Sequence, residues 1–405
     1  MTLEKACGPL VVIAPEAPWP PNHGARVDIL NRWRQLQALG WSLILVTWCG
    51  KGEDCADADL ELAQIFERIY WLGKPDGIVG IFDRLAGLLW HSPHVWVRRI
   101  RTNQLSALTI SLQGRRPVGI VLDSLYGALA ARSLAQTLNL PLLHRAHNIE
   151  HLYMSKQARS ARGVKRKLAL WVASWHLRRL ETEIRHEVNW TFDISQSDLM
   201  FWRARGFDHG SWLPPIVCSL PAAKISWQDR PYDVLYLGNL HTPNNVAGLD
   251  WFFKLVLPKL HNLRPNLRVA VAGSLPSAYV RSLISASPNV TLVANPENVD
   301  YVRAQGRILI NPVLEGSGVN VKSVEMLFTD SPIVTTRAGV QGLAAEAKVA
   351  FHVTDDPIEF AASIDEALRR GPVADLARAQ ARALFGSRTV NDLSDQLLAL
   401  TGRQK

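Results

Sequence analysis

The stretch NPVLEGSGVNVKSVEMLFTDSPIVTTRAGVQGL, residues 311–343, runs from the end of an apolar strand through a glycine-bearing loop, EGSG (315–318), into a helix expected to open near Val319. Gly316 and Gly318 let a ligand approach the backbone, and Ser317 is placed to accept from early helix amides. Exposed amides at the positive end of a helix form an anion site suited to a diphosphate. Within the helix, Val321, Val324 and Phe328 make an apolar stripe, and Glu325 borders it with Lys322 one turn earlier. A carboxylate beside a core face is costly unless it accepts hydrogen bonds. Ribose hydroxyls are suitable donors for Glu325, while Lys322 can neutralise phosphate charge. The plainer alternative is an i, i+3 Lys322–Glu325 ion pair worth about 0.2–0.5 kcal/mol.

Outward from this segment, short β-branched runs alternate with amphipathic helical patterns. PLVVIAP (9–15), SLILVTW (42–48), VGIVLD (118–123), LPLLHRAH (140–147), DVLYLG (233–238), LRVAVAG (267–273), RILINP (307–312) and PIVTT (332–336) read as strands. Residues 25–39 place Ile29, Leu30, Trp33 and Leu36 on one helical face and stop at Gly40. Near-continuous apolar strands separated by helices imply α/β architecture, with parallel sheets covered on both faces. The pattern restarts after a proline-bearing stretch, so the sequence divides into a Rossmann-like domain at 1–213, a linker at 214–231 and a second Rossmann-like domain at 232–385. A C-terminal helix, 386–405, follows, with the first domain as one surface available to it. Two doubly wound domains are expected to face across a cleft, since ligands bind at the carboxyl ends of such strands.

Composition sets the outer limits. The chain has 405 residues, 47% hydrophobic and 20% charged, which suits two folded domains and excludes disorder. No apolar run approaches the length of a membrane span. The start, MTLEKACGPLVVIAP, does not read as a secretory signal, which sets the expectation of a cytoplasmic protein. Cys7, Cys49, Cys55 and Cys218 show no metal-ligand spacing and are expected to be reduced, buried thiols, with no metal and no cofactor. Of the net charge of +9, residues 1–220 carry +7, together with 12 of the 14 tryptophans. The charge is dispersed and matches no nucleic-acid recognition module, so no nucleic-acid partner is expected.

Residues 307–343 resemble the donor-binding segment of GT-B-fold glycosyltransferases, in particular glycosyltransferase family 4. The matching positions are Pro312, the Gly316–Gly318 loop, Lys322, Glu325, the strand at 331–335 and the turn Ala338-Gly339 to Gly342-Leu343. PWPPNHGARVDILNRWRQLQALGWSLILVTW near the start, HRAHNIEHLYM (144–154) and DVLYLGNLHTPNNVAGLDWFF (233–253) resemble further parts of that family. The resemblance implies metal-independent, retaining transfer of a sugar from a nucleotide-sugar donor to a glycan or lipid-linked acceptor, in surface polysaccharide or glycolipid biosynthesis. It assigns Glu325 to the donor ribose, Gly316, Ser317 and Gly318 to the diphosphate or sugar, and Lys322 to the diphosphate as a catalytic group. His147 would reach the sugar at the reacting centre, and Gly24, Gly238 and Asn239 would border the donor.

Three positions depart from the family pattern. Ser317 stands where the first glutamate of a paired motif would fall, Asn239 and Asn244 replace an arginine and a lysine, and His23-Gly24 replaces a glycine pair. Lys322, with Arg337 and the amides after Thr242-Pro243, is then expected to carry the leaving-group charge. A histidine ending a strand, as His147 does, also has an ordinary structural reading. Asp123, at another strand end, and Asn148 are candidates for the acceptor side. Two other readings share the fold: a nucleotide-sugar 2-epimerase and a non-catalytic nucleotide-sugar-binding protein.

Residues 156–186 hold nine Lys or Arg, interleaved with Leu168, Trp171, Val172 and Trp175 at helical spacing. Such a helix either lies on an anionic membrane surface, making the protein peripheral at the inner face of the cell membrane, or buries its stripe in a core and solvates its basic face.

Overall fold

A computed structural model of the chain describes residues 8–21, 24–50, 55–74, 77, 80, 82–83, 87, 90–161, 163–217, 225–316 and 318–402. The chain forms two compact units. One comprises the residues up to Pro21, Ile29–Pro214 and the residues from Val390 on; the other comprises Asn22–Asp28 and Pro215–Thr389.

The first unit is built on a seven-stranded parallel sheet of order β3-β2-β1-β4-β5-β6-β7. Its strands are β1 (Leu10–Ile13), β2 (Leu43–Cys49), β3 (Arg68–Gly73), β4 (Gly119–Asp123), β5 (Leu142–Ala146), β6 (Trp190–Asp193) and β7 (Gly210–Trp212). The central strands β1, β4 and β5 are buried along their whole length, as continuous apolar runs require when helices cover both faces. The helix Gly24–Ala38 turns Ile29, Leu30, Trp33 and Leu36 inward, and Gly40 follows it at φ 94°. The C-terminal helix Ser387–Leu400 is tied to this unit through Trp41 Nε1 donating to Ser394 Oγ (2.9 Å) and Ser211 Oγ donating to Gln396 Oε1 (2.9 Å).

The second unit carries a six-stranded parallel sheet of order β10-β9-β8-β11-β12-β13. Its strands are β8 (Tyr232–Leu237), β9 (Val269–Gly273), β10 (Val290–Ala294), β11 (Gly306–Asn311), β12 (Ile333–Thr335) and β13 (Phe351–Val353). Before β8, Arg230 is buried and donates to Ser331 Oγ (2.9 Å) and to Asp330 Oδ1 (2.6 Å), so the segment entering the unit is packed against it.

Five strands lie outside the apolar runs read from the sequence: β3, β6, β7, β10 and β13. Four of them are sheet edges. An edge strand buries less of its surface and needs no continuous apolar run, so its sequence signal is weak. The helix expected from Val319 spans only Val321–Met326. Phe328 therefore sits beyond it, and a six-residue helix leaves little macrodipole to attract an anion.

The cysteine expectation is corrected at one pair. Cys49, closing β2, and Cys55, preceding the helix Ala56–Leu62, form a disulfide. The strand end and the helix start bring their Cα atoms to 6.7 Å, within bridging range, although six positions separate them in sequence. Cys7 and Cys218 lie outside the described residues.

Candidate functional site

In the second unit, the neighbouring strands β8 and β11 run in parallel, with Tyr236 beside Ile310, and both open at their carboxyl ends into loops. Three side chains lock the helix Val321–Met326 above that end. Asn311 Nδ2 donates to Ser323 Oγ (2.8 Å), Ser323 Oγ donates to the Gly339 carbonyl (2.7 Å), and Thr335 Oγ1 donates to the Asn311 carbonyl (2.8 Å). All three side chains are buried, so the helix is fixed to the sheet by buried hydrogen bonds, while Asn311 Oδ1 has no hydrogen-bond partner among the described residues.

This anchoring holds Lys322 over β8. Its Nζ donates to Asn245 Oδ1 (2.8 Å) and to Tyr236 Oη (3.1 Å), and lies 4.7 Å from the centre of the Tyr236 ring. Burial pushes the Lys322 ammonium down to about 7, against an upward pull from Glu325. Burial also raises the Tyr236 phenol well above its ordinary value, so it stays protonated. Among the described residues no carboxylate stands at ion-pair distance from Lys322. A cation held by two neutral oxygens is a ready counter-charge for an arriving anion.

Glu325 does not pair with Lys322. Its Oε2 accepts from Arg303 Nη2 at 2.9 Å, and Arg303 also pairs with Asp300. Burial raises the Glu325 carboxyl above its usual value while Arg303 draws it down. The side chain keeps 20% exposure. The i, i+3 ion pair is therefore absent, because each charge has found a partner on another element.

The other donor-side positions sort by what they touch. A Cβ on Gly238 would stand 2.7 Å from Tyr236 Oη, so this glycine makes room for the hydroxyl that holds Lys322. Asn239 Oδ1 accepts from the amides of His241 (2.9 Å) and Thr242 (3.0 Å), bracing the turn into the helix Pro243–Trp251. The Asn239 carbonyl accepts from Asn245 Nδ2 (2.8 Å), which aims Asn245 at Lys322. Gly318 has φ +60°, and a Cβ on Gly316 would make only ordinary contact with the Ala338 carbonyl. Gly24, which falls within the second unit, would bring a Cβ to 3.3 Å from Val321 Cγ2. Ser317 lies outside the described residues. Arg337 is 84% exposed, pairs with Asp355 at 3.5 Å and does not join Lys322. Asn244 is exposed.

In the first unit, Asp123 closes β4 and His147 follows β5. The Asp123 carboxylate is fully buried; it accepts from Arg32 Nη2 at both oxygens (2.9 and 2.7 Å), from Trp33 Nε1 (2.8 Å), and bonds His147 Nε2 (2.8 Å). Burial alone would raise this carboxyl, but the Arg32 charge and the His147 bond hold it well below the usual carboxylate range. Asp123 is therefore not an acceptor contact but a buried anchor that orients His147. An ionised Asp123 can only accept, so His147 Nε2 is the donor in this bond. Asn148, half-buried, hydrogen-bonds the Glu150 carboxylate. Burial and the neighbouring Glu181 push Glu150 up to about 7, and Tyr126 Oη donates to it at 3.0 Å.

Tyr236, Asn245, Arg303 and Arg32 are the site residues that sequence reading missed. Tyr236 alternates with strand core residues and looks like one of them, and the others act across distances in sequence that no local pattern encodes. Among the described residues no group of three or more His, Cys, Asp or Glu side chains is arranged to hold a metal ion.

No family model matches the sequence. A curated relative, an uncharacterized 44.6 kDa protein in the cps region of Klebsiella pneumoniae, is 22% identical over 364 residues, covering 88% of this chain and 89% of the relative. Among solved structures, HepE of Anabaena in complex with UDP-glucose superposes with TM-score 0.65 at 12% identity, over 97% of this chain and 99% of that one. Sucrose-phosphate synthase from Thermosynechococcus elongatus gives 0.64 at 15% identity, with the same coverage. A glycosyltransferase from Rickettsia africae gives 0.65 at 11% identity, over 99% and 100%. The fold is GT-B. Within a GT-B chain, the Lys322 cluster belongs to the unit that follows residue 215 and the His147 cluster to the unit before it.

Proposed function

We propose that this GT-B protein is a glycosyltransferase that moves a sugar from a nucleotide-sugar donor to a glycan or lipid-linked acceptor, with retention and without a metal ion. Its setting is surface polysaccharide or glycolipid biosynthesis, in the cytoplasm and peripheral at the inner face of the membrane. The observation that carries this reading is Lys322, an ammonium held by Tyr236 and Asn245 beside a glycine-bearing loop, with no carboxylate partner among the described residues. Such a group fits the diphosphate of a donor and the negative charge that grows as it departs. The names of the similar structures, UDP-glucose among their ligands, and the cps region of the Klebsiella relative support the same reading.

In the step proposed, the bond from the sugar anomeric carbon to the diphosphate oxygen breaks as the acceptor oxygen bonds to that carbon on the same face. The acceptor proton passes to the departing diphosphate oxygen. Lys322 stabilises the diphosphate, Glu325 holds ribose hydroxyls, the backbone at Gly316 and Gly318 lies against the phosphates, and His147 engages a sugar hydroxyl.

The test is a thermal-shift panel of UDP-, GDP-, ADP- and CMP-sugars, followed by release of the free nucleotide with acceptor present. A donor at 100 times its Kd stabilises by about 2.7 kcal/mol. Glu325→Ala should weaken donor binding and His147→Ala should chiefly slow turnover. If both variants keep wild-type kinetics the assignment fails. An isomerised donor formed without acceptor would assign an epimerase instead.

A further inference from the structure

The basic, tryptophan-bearing stretch 156–186 spans two helices, Lys156 and Arg159 lying on Glu150–Ser160 and the tryptophans on Val164–Glu187; of its apolar stripe Leu168, Trp171 and Trp175 are exposed and Val172 is half-buried. The buried face of the second helix is formed by Ala173, Leu177, Leu180 and Ile184. A second stripe, Val164, Leu168, Trp171 and Trp175, keeps 82%, 60%, 62% and 60% exposure. Exposing four large apolar side chains at one helical spacing needs a partner to cover them. Trp171 and Trp175 also form one wall of a groove of about 570 Å³. Phe201 and Phe207, on and after the helix Gln196–Arg203, also line it, as do Arg178 and Arg205. The Arg205 guanidinium stacks on Phe201, 3.5 Å from the ring centre. Lys165, Arg166 and Lys167 are exposed on the same helix, and among the described residues no acidic side chain pairs with them or with Arg178.

We propose that this groove seats an anionic phospholipid of a bilayer surface, its acyl chain along Trp171, Trp175, Phe201 and Phe207 and its phosphate at Arg178 and Arg205, with the Val164–Leu168 end of the helix lying in the interface. Charge and apolar surface together select this occupant. A phosphate matches the two arginines at the groove, and further cations on the helix meet further headgroups. Two tryptophans alone suit the face of a sugar as well as a lipid chain, but Val164 and Leu168 continue the stripe with surface that a hydrated glycan does not cover. The inference deepens the peripheral location within the glycosyltransferase reading and rests on it only for its purpose.

The experiment is co-sedimentation of the full chain with phosphatidylcholine vesicles, with and without phosphatidylglycerol, together with tryptophan fluorescence on vesicles whose phosphatidylglycerol carries brominated chains. Wild type should bind only the vesicles containing phosphatidylglycerol, be quenched by the brominated chains, and ignore added inorganic phosphate. Arg178→Gln with Arg205→Gln should lose about fivefold in binding for each cation removed. Trp171→Ser with Trp175→Ser, at exposed positions that the fold tolerates, should lose binding and quenching together. No binding by wild type, binding unchanged in both double variants, or competition by inorganic phosphate would overturn the proposal. So would a dimer that the tryptophan variant dissociates, or capture of a soluble glycan that the same variant abolishes. Donor binding is measured separately without vesicles, so a failure of the lipid site leaves the donor assignment standing, and the reverse.

Discussion

Binding of a nucleotide-sugar should draw protons from solution, and Lys322 sets how many. In the unliganded protein burial holds this ammonium down to about 7, so the group is about half neutral at pH 7 and about nine-tenths neutral at pH 8. A diphosphate arriving beside Nζ favours the charged form and restores the proton. Uptake should therefore be about 0.5 proton per site at pH 7, about 0.9 at pH 8 and about 0.1 at pH 6. Calorimetric titration in buffers of different ionisation enthalpy reads this number directly. A nucleoside diphosphate sugar is the right ligand, because its esterified phosphates do not titrate in this range. The sign of the stability effect follows from the same shift. Between pH 7 and the ordinary lysine value the unfolded chain binds the extra proton, so the stability of the unliganded protein should rise with pH across that window. Lys322→Met should abolish the uptake and flatten that slope. No uptake at pH 8, or the same uptake in Lys322→Met, would refute the placement of the diphosphate at this ammonium.

Asp123→Ala strands the buried Arg32 guanidinium and should destabilise the first unit by about 3–5 kcal/mol in chemical denaturation. Because the folded carboxyl titrates below its ordinary value, wild type should keep this contribution at neutral pH and lose it only as pH falls beneath the carboxylate range, a loss the variant should not show. Gly273→Ala should destabilise the second unit by at least about 2 kcal/mol by urea unfolding, since Gly273 has φ +150° and a Cβ there would stand 1.6 Å from the Gly238 carbonyl oxygen. Peptides carrying Cys49 and Cys55 should take up an alkylating label only after reduction, as read by mass spectrometry, and labelling without reductant would contradict the disulfide.

The central strands of both sheets were legible from local pattern alone. β1, β4, β5, β8, β9 and β11 are buried on both faces and so must be written as unbroken apolar runs. The edges β3, β7, β10 and β13 carry no such demand and escaped notice. Position along the chain also placed Lys322 and Glu325 together, since a loop and a short helix are local objects. Their partners were beyond that reach. Tyr236 and Asn245 approach Lys322 across 86 and 77 positions, and Arg32 meets Asp123 across 91.

The amino-acid order by itself determined two parallel α/β units, the glycine-bearing turn after β11, and a cationic helix with tryptophans at one spacing, because periodicity and backbone freedom act between near neighbours. Tertiary structure alone decided which charges are paired. It gave Glu325 to Arg303, left Lys322 on neutral oxygens, turned Asp123 inward as the anchor of His147, and left Trp171 and Trp175 in the open. The physical reason is that burial and electrostatic partnership depend on distances in space, which a one-dimensional pattern does not contain.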